Sequence, residues 1–169
     1  MSEFPTLTGY YRFLFLYLEP FSTIYPALHV FIYPGARAFY DDLIPGSAAS
    51  SVFEPRTRIV IWQLANCYFL LSLISSFVFR AARDSVPNPV SQERLVGAML
   101  KVLAVADVTH VVISYVGLPK EARWDFGSWN AMTHGNITFV VLLLVSRLSW
   151  FYGIGRERFS YGRGVQRGG

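Results

Sequence analysis

The stretch IVIWQLANCYFLLSLISSFVF, residues 59–79, lies between Arg58 and Arg80 and contains no charged residue. A helix needs about 20 consecutive apolar residues to cross the hydrocarbon core of a bilayer. The stretch meets that length, so its composition predicts a transmembrane helix. This one segment therefore makes a membrane protein the first hypothesis for the whole chain.

Three further windows are also long and predominantly apolar. They cover residues 13–33, 95–118 and 126–146. Unpaired backbone N–H and C=O groups are costly in hydrocarbon, so each window is expected to be helical. The first window contains Glu19-Pro20 and Pro26 and is longer than the apolar core of a signal peptide, which favours a kinked helix that the mature protein retains. The sequence thus predicts an all-α protein, a four-transmembrane-helix bundle over residues 1–152.

The composition supports this class. Of the 169 residues, 53% are hydrophobic and 15% are charged, whereas soluble domains average about a quarter charged residues. The only cysteine, Cys67, excludes an internal disulfide framework and any site built from several cysteines.

The distribution of basic residues predicts the orientation. Lys and Arg are more frequent in the N-terminus, the 80–94 connection and the C-terminal tail than in the two connections on the opposite side. By the positive-inside rule both termini face the cytosol, with the endoplasmic reticulum as the expected membrane. The glycine-rich segment 153–169 is predicted to be a flexible basic cytosolic tail. The net charge of +4 is attributed to the basic residues that set the orientation in the membrane. No nucleic-acid partner is expected.

Four of the ionisable residues inside the windows are candidate functional residues: Glu19, Asp107, His110 and His134. Such groups are costly in a bilayer and often mark function. The helical rise places Asp107 and both histidines at overlapping depths in the non-cytosolic half, which predicts one shared polar pocket. Glu19 is expected about 9 Å nearer the cytosol than Asp107.

This pattern is typical of acid–base chemistry. Asp107 and His110 are three residues apart and share one helix face, so Asp107 is predicted to orient His110, with Glu19 or His134 as a second proton donor. All four are candidate catalytic residues. The chemistry needs no cofactor. No metal is predicted either, because the histidines come from separate helices and lack metal-binding spacing.

Four more residues are candidates for substrate binding: Asn66, Trp124, Trp129 and Asn136. The amides lie near the depth of the expected pocket, and the tryptophans offer aromatic faces near its mouth. An alternative for the tryptophans is an interfacial belt. An alternative for the amides is hydrogen bonding between helices.

Several short motifs resemble those of a fungal family of small four-pass membrane proteins of unknown function. These are YLEP at 17–20, ADVTH at 106–110, the pair Trp124 and Trp129, and Arg147 followed by WFYG at 150–153. A small bundle with intramembrane His and acidic residues is also similar in kind to the emopamil-binding sterol isomerases and the fungal membrane meroterpenoid cyclases. That more distant likeness implies proton transfer to an apolar substrate inside the membrane.

Two functions are therefore expected as alternatives. The first is an integral membrane proton-transfer enzyme, an isomerase or cyclase, that acts on a sterol-like or terpenoid lipid. The second is a non-catalytic protein that binds a lipid or metabolite, or an accessory protein that stabilises a partner enzyme. The expected partners are the lipid bilayer and a hydrophobic small molecule, together with a partner membrane enzyme or further copies of the chain.

Overall fold

The computed structural model describes residues 4–48, 52–160 and 163–167, and this part of the chain is mostly helical. The α-helices are α1 (Gly9–Phe13), α2 (Glu19–Phe31), α3 (Ala36–Asp42), α4 (Pro55–Ser85), α5 (Pro89–Gly117), α6 (Lys120–Arg123), α7 (Ala131–His134) and α8 (Val140–Tyr152). Two π-helical segments, Leu14–Leu18 and Gly135–Phe139, join α1 to α2 and α7 to α8. Strands β1 (Glu157–Ser160) and β2 (Arg163–Arg167) follow.

Three helical runs are long and apolar enough to cross a membrane. They are α4, α5 and the continuous run Ala131–Tyr152. The predicted helix in all four apolar windows is confirmed, but the length and hydropathy that a membrane crossing requires are found in three. The N-terminal run from α1 through α2 is also helical, yet Arg12, Glu19 and His29 interrupt its apolar sequence. Its crossing of the bilayer stays a prediction.

The bundle is built from two helix pairs. Helix α2 packs against α4, and α5 packs against α8. A central apolar core joins the pairs with side chains from the N-terminal run, α4, α5 and α8; its members include Leu14, Phe15, Leu16, Phe79, Leu100, Leu103, Leu143 and Trp150. A second apolar cluster, formed by Ala27, Val30, Ala36, Phe39, Ile61 and Ala65, packs α3 onto α2 and α4.

The start of the described chain and the end of α8 lie at the same end of the bundle. The indole N–H of Trp150, near the end of α8, donates to the carbonyl of Thr6 at 2.9 Å. The hydroxyl of Tyr11 donates to the carbonyl of Ile154 at 2.7 Å. We call this the terminal end. At the opposite end, the loop end, the side-chain amide of Asn130 donates to the carbonyl of Asp42 at 2.8 Å.

The C-terminal segment contains two paired strands. Strands β1 and β2 pair antiparallel, with Glu157 opposite Arg167 and Ser160 opposite Arg163. Strand β1 lies against α5. Residues 161–162 and 168–169 of the predicted tail lie outside the described residues. The glycine content of this segment indicates conformational freedom of the backbone. A buried ion pair between Arg156 and Glu93 attaches the start of the segment to the bundle.

Gly153 ends α8 in a left-handed conformation, with φ of 78°. Its N–H donates to the carbonyl of Trp150 at 3.1 Å, and the N–H of Ile154 donates to that of Ser149 at 3.0 Å. A Cβ at Gly153 would lie 2.7 Å from Cδ of Arg158. Helix termination here therefore requires a glycine.

We expect Gly153→Ala to lower the free energy of unfolding by about 1–2 kcal/mol, because an L-residue is strained in the left-handed region. Denaturant titration of the purified protein in detergent measures the change. Gly117→Ala is the matched control, since Gly117 ends α5 with an ordinary φ and no atom lies within 4 Å of its built Cβ. Equal stability of the two variants would show that the turn at Gly153 contributes nothing.

Candidate functional site

An arginine and two carboxylates form an ionic cluster between three helices. Arg147 of α8 donates from Nη1 and Nη2 to the two carboxylate oxygens of Glu19, each at 2.9 Å. Its Nε donates to Oδ2 of Asp107 at 2.7 Å, and its Nη2 donates to Oδ1 at 3.4 Å. The exposed fractions are 1% for Arg147, 4% for Glu19 and 7% for Asp107. We call these three residues the triad.

Antiparallel packing of α5 and α8 brings two of the triad side chains together. Gly97 lies beside the ring of Trp150, while Asp107, further along α5, contacts Arg147, which precedes Trp150. The helical rise places the backbone of Asp107 about 10 Å beyond that of Arg147. Side chains lean toward the N-terminus of their own helix. On antiparallel helices the two side chains therefore lean toward each other and close this distance.

The first π-helical segment sets the direction of Glu19. The N–H of Glu19 donates to the carbonyl of Leu14, five residues earlier, and Glu19 is then the first residue of α2. The wider turn rotates every later side chain relative to an uninterrupted α-helix. Pro20, which has no N–H, follows directly and is buried with Glu19. Such π-helical turns occur frequently at functional sites.

Hydroxyl groups hold the backbone around Glu19. The side chains of Ser22 and Thr23 both donate to the carbonyl of Glu19 at 2.8 Å. From α4, the buried hydroxyl of Ser72 donates to the carbonyl of Pro20 at 2.9 Å. These bonds occupy carbonyls near the prolines and attach α2 to α4 at the level of the triad.

The triad contains two acidic groups and one basic group. Four of the five guanidinium N–H groups of Arg147 donate to carboxylate oxygens, and the Phe15 ring centroid lies 5.3 Å from its Cζ. With both carboxyl groups ionised, the triad carries one net negative charge. With one proton added, it is neutral. The triad therefore has the composition of a site that can hold and release a single proton.

A second buried arginine is paired with a single carboxylate, so the charges of this pair cancel. Arg156 donates to both carboxylate oxygens of Glu93, at 2.7 and 2.6 Å, and to the carbonyls of Trp150 and Glu157 at 2.8 and 2.9 Å. Its Cζ lies 3.7 Å from the Trp150 ring centroid. This one-to-one pair joins α5 to the segment after α8, and it serves as a structural comparison for the triad.

The structure joins only two of the four predicted catalytic residues. Glu19 and Asp107 share one guanidinium, so the expected depth difference of about 9 Å does not keep their side chains apart. Arg147 bridges them. Asp107 uses both oxygens on Arg147 and does not orient His110.

Neither histidine is bonded to the triad within the described residues. His110 is half-buried on α5 and makes no hydrogen bond within the described part of the chain. His134 is exposed; its Nδ1 lies 3.0 Å from the hydroxyl of Thr138, and its ring contacts Trp129 edge-on at 5.5 Å. No contact among the described residues joins either histidine to Glu19 or Asp107.

The four candidate substrate-binding residues are distributed over the surface. Asn66 is exposed on α4, and Asn136 is half-buried in the second π-helical segment. Trp124 is 77% exposed and contacts Tyr115 edge-on. The indole of half-buried Trp129 donates to the carbonyl of Ala122 at 2.8 Å. No contact among the described residues joins these side chains to the triad, and both tryptophans lie in the loop-end connection, as an interfacial belt requires.

Sequence reasoning missed Arg147, which it treated as the polar boundary of the last window. One signal was available. Two carboxylates in apolar windows require a counter-charge, and Arg147 is the basic residue between His134 and the end of α8. Among the described residues no group of three or more His, Cys, Asp or Glu side chains is arranged to hold a metal ion.

Residues 4–157 match the family model described as "Domain of unknown function (DUF7704)". All three triad residues lie inside the matched range. No curated protein and no solved structure matches the chain.

Proposed function

The chain belongs to the DUF7704 family, and we propose that it is an integral membrane proton-transfer enzyme whose acid and base are Glu19 and Asp107. The observation that carries the proposal is the buried excess of one carboxylate over the single guanidinium of Arg147. A net charge is costly away from water. One bound proton removes that cost, which makes the triad a proton store between the helices.

The proposed reaction needs no other reagent. The protonated carboxyl gives its proton to a carbon–carbon double bond, which leaves a positive charge on the adjacent carbon. The second carboxylate then takes a proton from a carbon next to that cation, and a new double bond forms. The product is an isomer of the substrate, or a cyclised isomer if a further double bond attacks the cation first. The triad therefore keeps one proton overall. Exchange with water then removes the proton from the second carboxyl and returns one to the first.

The proposed substrate is a sterol-like or terpenoid lipid. The outer surfaces of α5 and α8 are apolar; their exposed residues include Val102, Val105, Val108, Val112, Val141, Val145 and Leu148. A molecule that reaches the triad between these helices has to be dissolved in the bilayer. An alkene-rich lipid meets this condition and offers the bond that a proton attacks.

We also propose that the terminal end faces the cytosol, with the endoplasmic reticulum as the membrane. The support is the basic residues that belong to this end of the bundle: Arg12, Arg80, Arg83, Arg94 and Arg158. Such residues are enriched on the cytosolic side.

Deuterium transfer tests the proposal and does not require the substrate to be identified first. Membranes from cells that lack the gene are incubated in heavy water with the purified protein, and lipids are analysed by mass spectrometry. We expect a lipid isomer that carries carbon-bound deuterium. Glu19→Gln and Asp107→Asn should each reduce its formation by about 100-fold or more, the usual contribution of a general acid or base.

Glu93→Gln is the matched control, because it removes one carboxylate from the balanced pair with Arg156 and leaves the triad intact. It should retain deuterium transfer. Full activity in both triad variants would reject Glu19 and Asp107 as the acid and base.

Infrared spectroscopy tests the stored proton directly. We expect the wild-type protein to show the carbonyl stretch of a protonated carboxyl group that is shielded from water. Glu19→Gln and Asp107→Asn should each abolish this band, because either variant leaves one carboxylate balanced by Arg147. Glu93→Gln should preserve it. A wild-type spectrum without the band would contradict the proton store.

One observation favours a second candidate function, that of a non-catalytic accessory or lipid-binding protein. All four carboxylate oxygens of Glu19 and Asp107 already accept from Arg147, which is also what a purely structural clamp would show. In that case the purified chain transfers no deuterium, but the stability effects described in the Discussion remain.

A further inference from the structure

Two exposed amides mark an unusual surface on α4. Gln63 and Asn66 are both exposed, and neither makes a hydrogen bond within the described residues. They lie three residues apart and so share one side of the helix. Ile61 and Ala65, which alternate with them, are buried against the bundle. The amides therefore point away from the protein interior.

These amides lie in the uncharged, apolar part of their helix. Helix α4 is one of the three helices able to cross a bilayer, and its uncharged stretch begins at Ile59. The helical rise puts Gln63 about 6 Å and Asn66 about 10 Å inside that boundary. Lipid tails offer no hydrogen bonds, so an unpaired amide at this depth is costly.

Three other exposed polar residues on these helices, Thr109, His134 and Thr138, have partners within their own chain. The hydroxyl of Thr109 donates to the carbonyls of Val105 and Ala106, and the side chains of His134 and Thr138 contact each other at 3.0 Å. The amides of Gln63 and Asn66 lack such local bonds. Their partner is expected from outside this chain.

We propose that this surface, defined by Gln63, Asn66 and Leu70, binds the same surface of a second copy of the chain. Copies inserted in one membrane share an orientation, so a two-fold axis along the membrane normal places each residue opposite itself at equal depth. An amide carries both donors and an acceptor. Gln63 therefore satisfies Gln63 of the second copy, and Asn66 satisfies Asn66, without any further sequence requirement.

A second copy fits this surface better than an unrelated protein does. Another partner would need polar groups at the same two depths and with the same one-turn spacing. The second copy has them by symmetry. Side-chain amides are among the groups that hold transmembrane helices together, which makes α4 against α4 the interface of the dimer.

Thiol cross-linking in native membranes tests the interface. Cys67 is the only cysteine of the chain, so Cys67→Ser provides a cysteine-free background for new single cysteines. Leu70→Cys lies on the proposed surface, seven residues after Gln63, and Leu70 is 46% exposed. With iodine, an oxidant that enters the bilayer, we expect this variant to form a disulfide-linked dimer of the full chain.

Val102→Cys on α5 and Val145→Cys on α8 are the matched controls in the same background. Val102 and Val145 are 68% and 55% exposed, so their cysteines meet lipid to at least the same extent but lie on other helices. We expect at least a fivefold lower dimer yield from both. Equal yields at all three positions, or a cross-link from Leu70→Cys to a different protein, would overturn the proposal.

A second experiment measures the role of the amides. We expect the combined change Gln63→Leu and Asn66→Leu to weaken dimerisation about tenfold, as measured by energy transfer between labelled copies in vesicles at different protein-to-lipid ratios. This size follows from two interhelical hydrogen-bonded pairs in a membrane. The thermal stability of the monomer should not fall, since neither amide contacts the bundle. Unchanged dimerisation would overturn the assignment.

Discussion

Replacing Arg147 by leucine should lower the free energy of unfolding by about 3–5 kcal/mol, the usual cost of leaving a buried charge without its partner. The change removes the single counter-charge of two carboxylates that are 4% and 7% exposed. It also removes hydrogen bonds to all four of their oxygens. Thermal unfolding in detergent, followed by circular dichroism, measures the loss.

A triple variant separates charge from packing. Adding Glu19→Gln and Asp107→Asn to Arg147→Leu removes all three charges, and buried ionic clusters replaced by neutral residues often regain stability. We expect the triple variant to recover most of the loss. If it is no more stable than Arg147→Leu alone, the cost comes from the volume of the arginine and not from its charge.

Trp150→Ala should be similarly severe, with a loss of about 3–5 kcal/mol, as for other large-to-small changes in a core. Trp150 is 2% exposed. Its indole N–H bonds the N-terminal segment at Thr6, one ring face covers the guanidinium of Arg156, and its ring lies beside Gly97 of α5. One side chain thus joins three parts of the terminal end.

Trp124→Ala is the comparison for Trp150→Ala, because Trp124 is 77% exposed and a surface substitution usually changes stability by less than about 0.5 kcal/mol. Denaturant titration of both variants provides the measurement. A Trp150→Ala variant as stable as Trp124→Ala would show that the terminal end is held together without this side chain.

The helices were predictable because hydropathy acts locally. Each apolar window is helical in the structure, since hydrocarbon leaves the backbone no partner except itself. Their ends were not predictable from the same signal. Helix α4 runs to Ser85, beyond the predicted end at Phe79, because backbone hydrogen bonding continues past the membrane boundary into charged sequence such as Arg80 and Arg83.

That Glu19 and Asp107 need a polar partner was also predictable, since a carboxylate in an apolar window is costly wherever it points. Their partner was not identified. Depth along separate helices, measured from the edge of each window, placed them about 9 Å apart. That measure ignores the lean and the length of side chains, and Arg147 is the longest of the three. The histidines shared the same estimated depth with Asp107 but occupy other positions around the bundle.

By itself, the amino-acid sequence determined that this protein is helical and apolar and that it retains acidic groups in a costly environment, because each of these properties depends on residues within one window. The tertiary structure alone decided which charges meet. Arg147 lies 40 residues from Asp107 and 128 residues from Glu19, and contact over such separations depends on how helices pack, on their direction and on the turn inserted before Glu19. Those variables are set by the whole bundle and leave no local pattern in the chain.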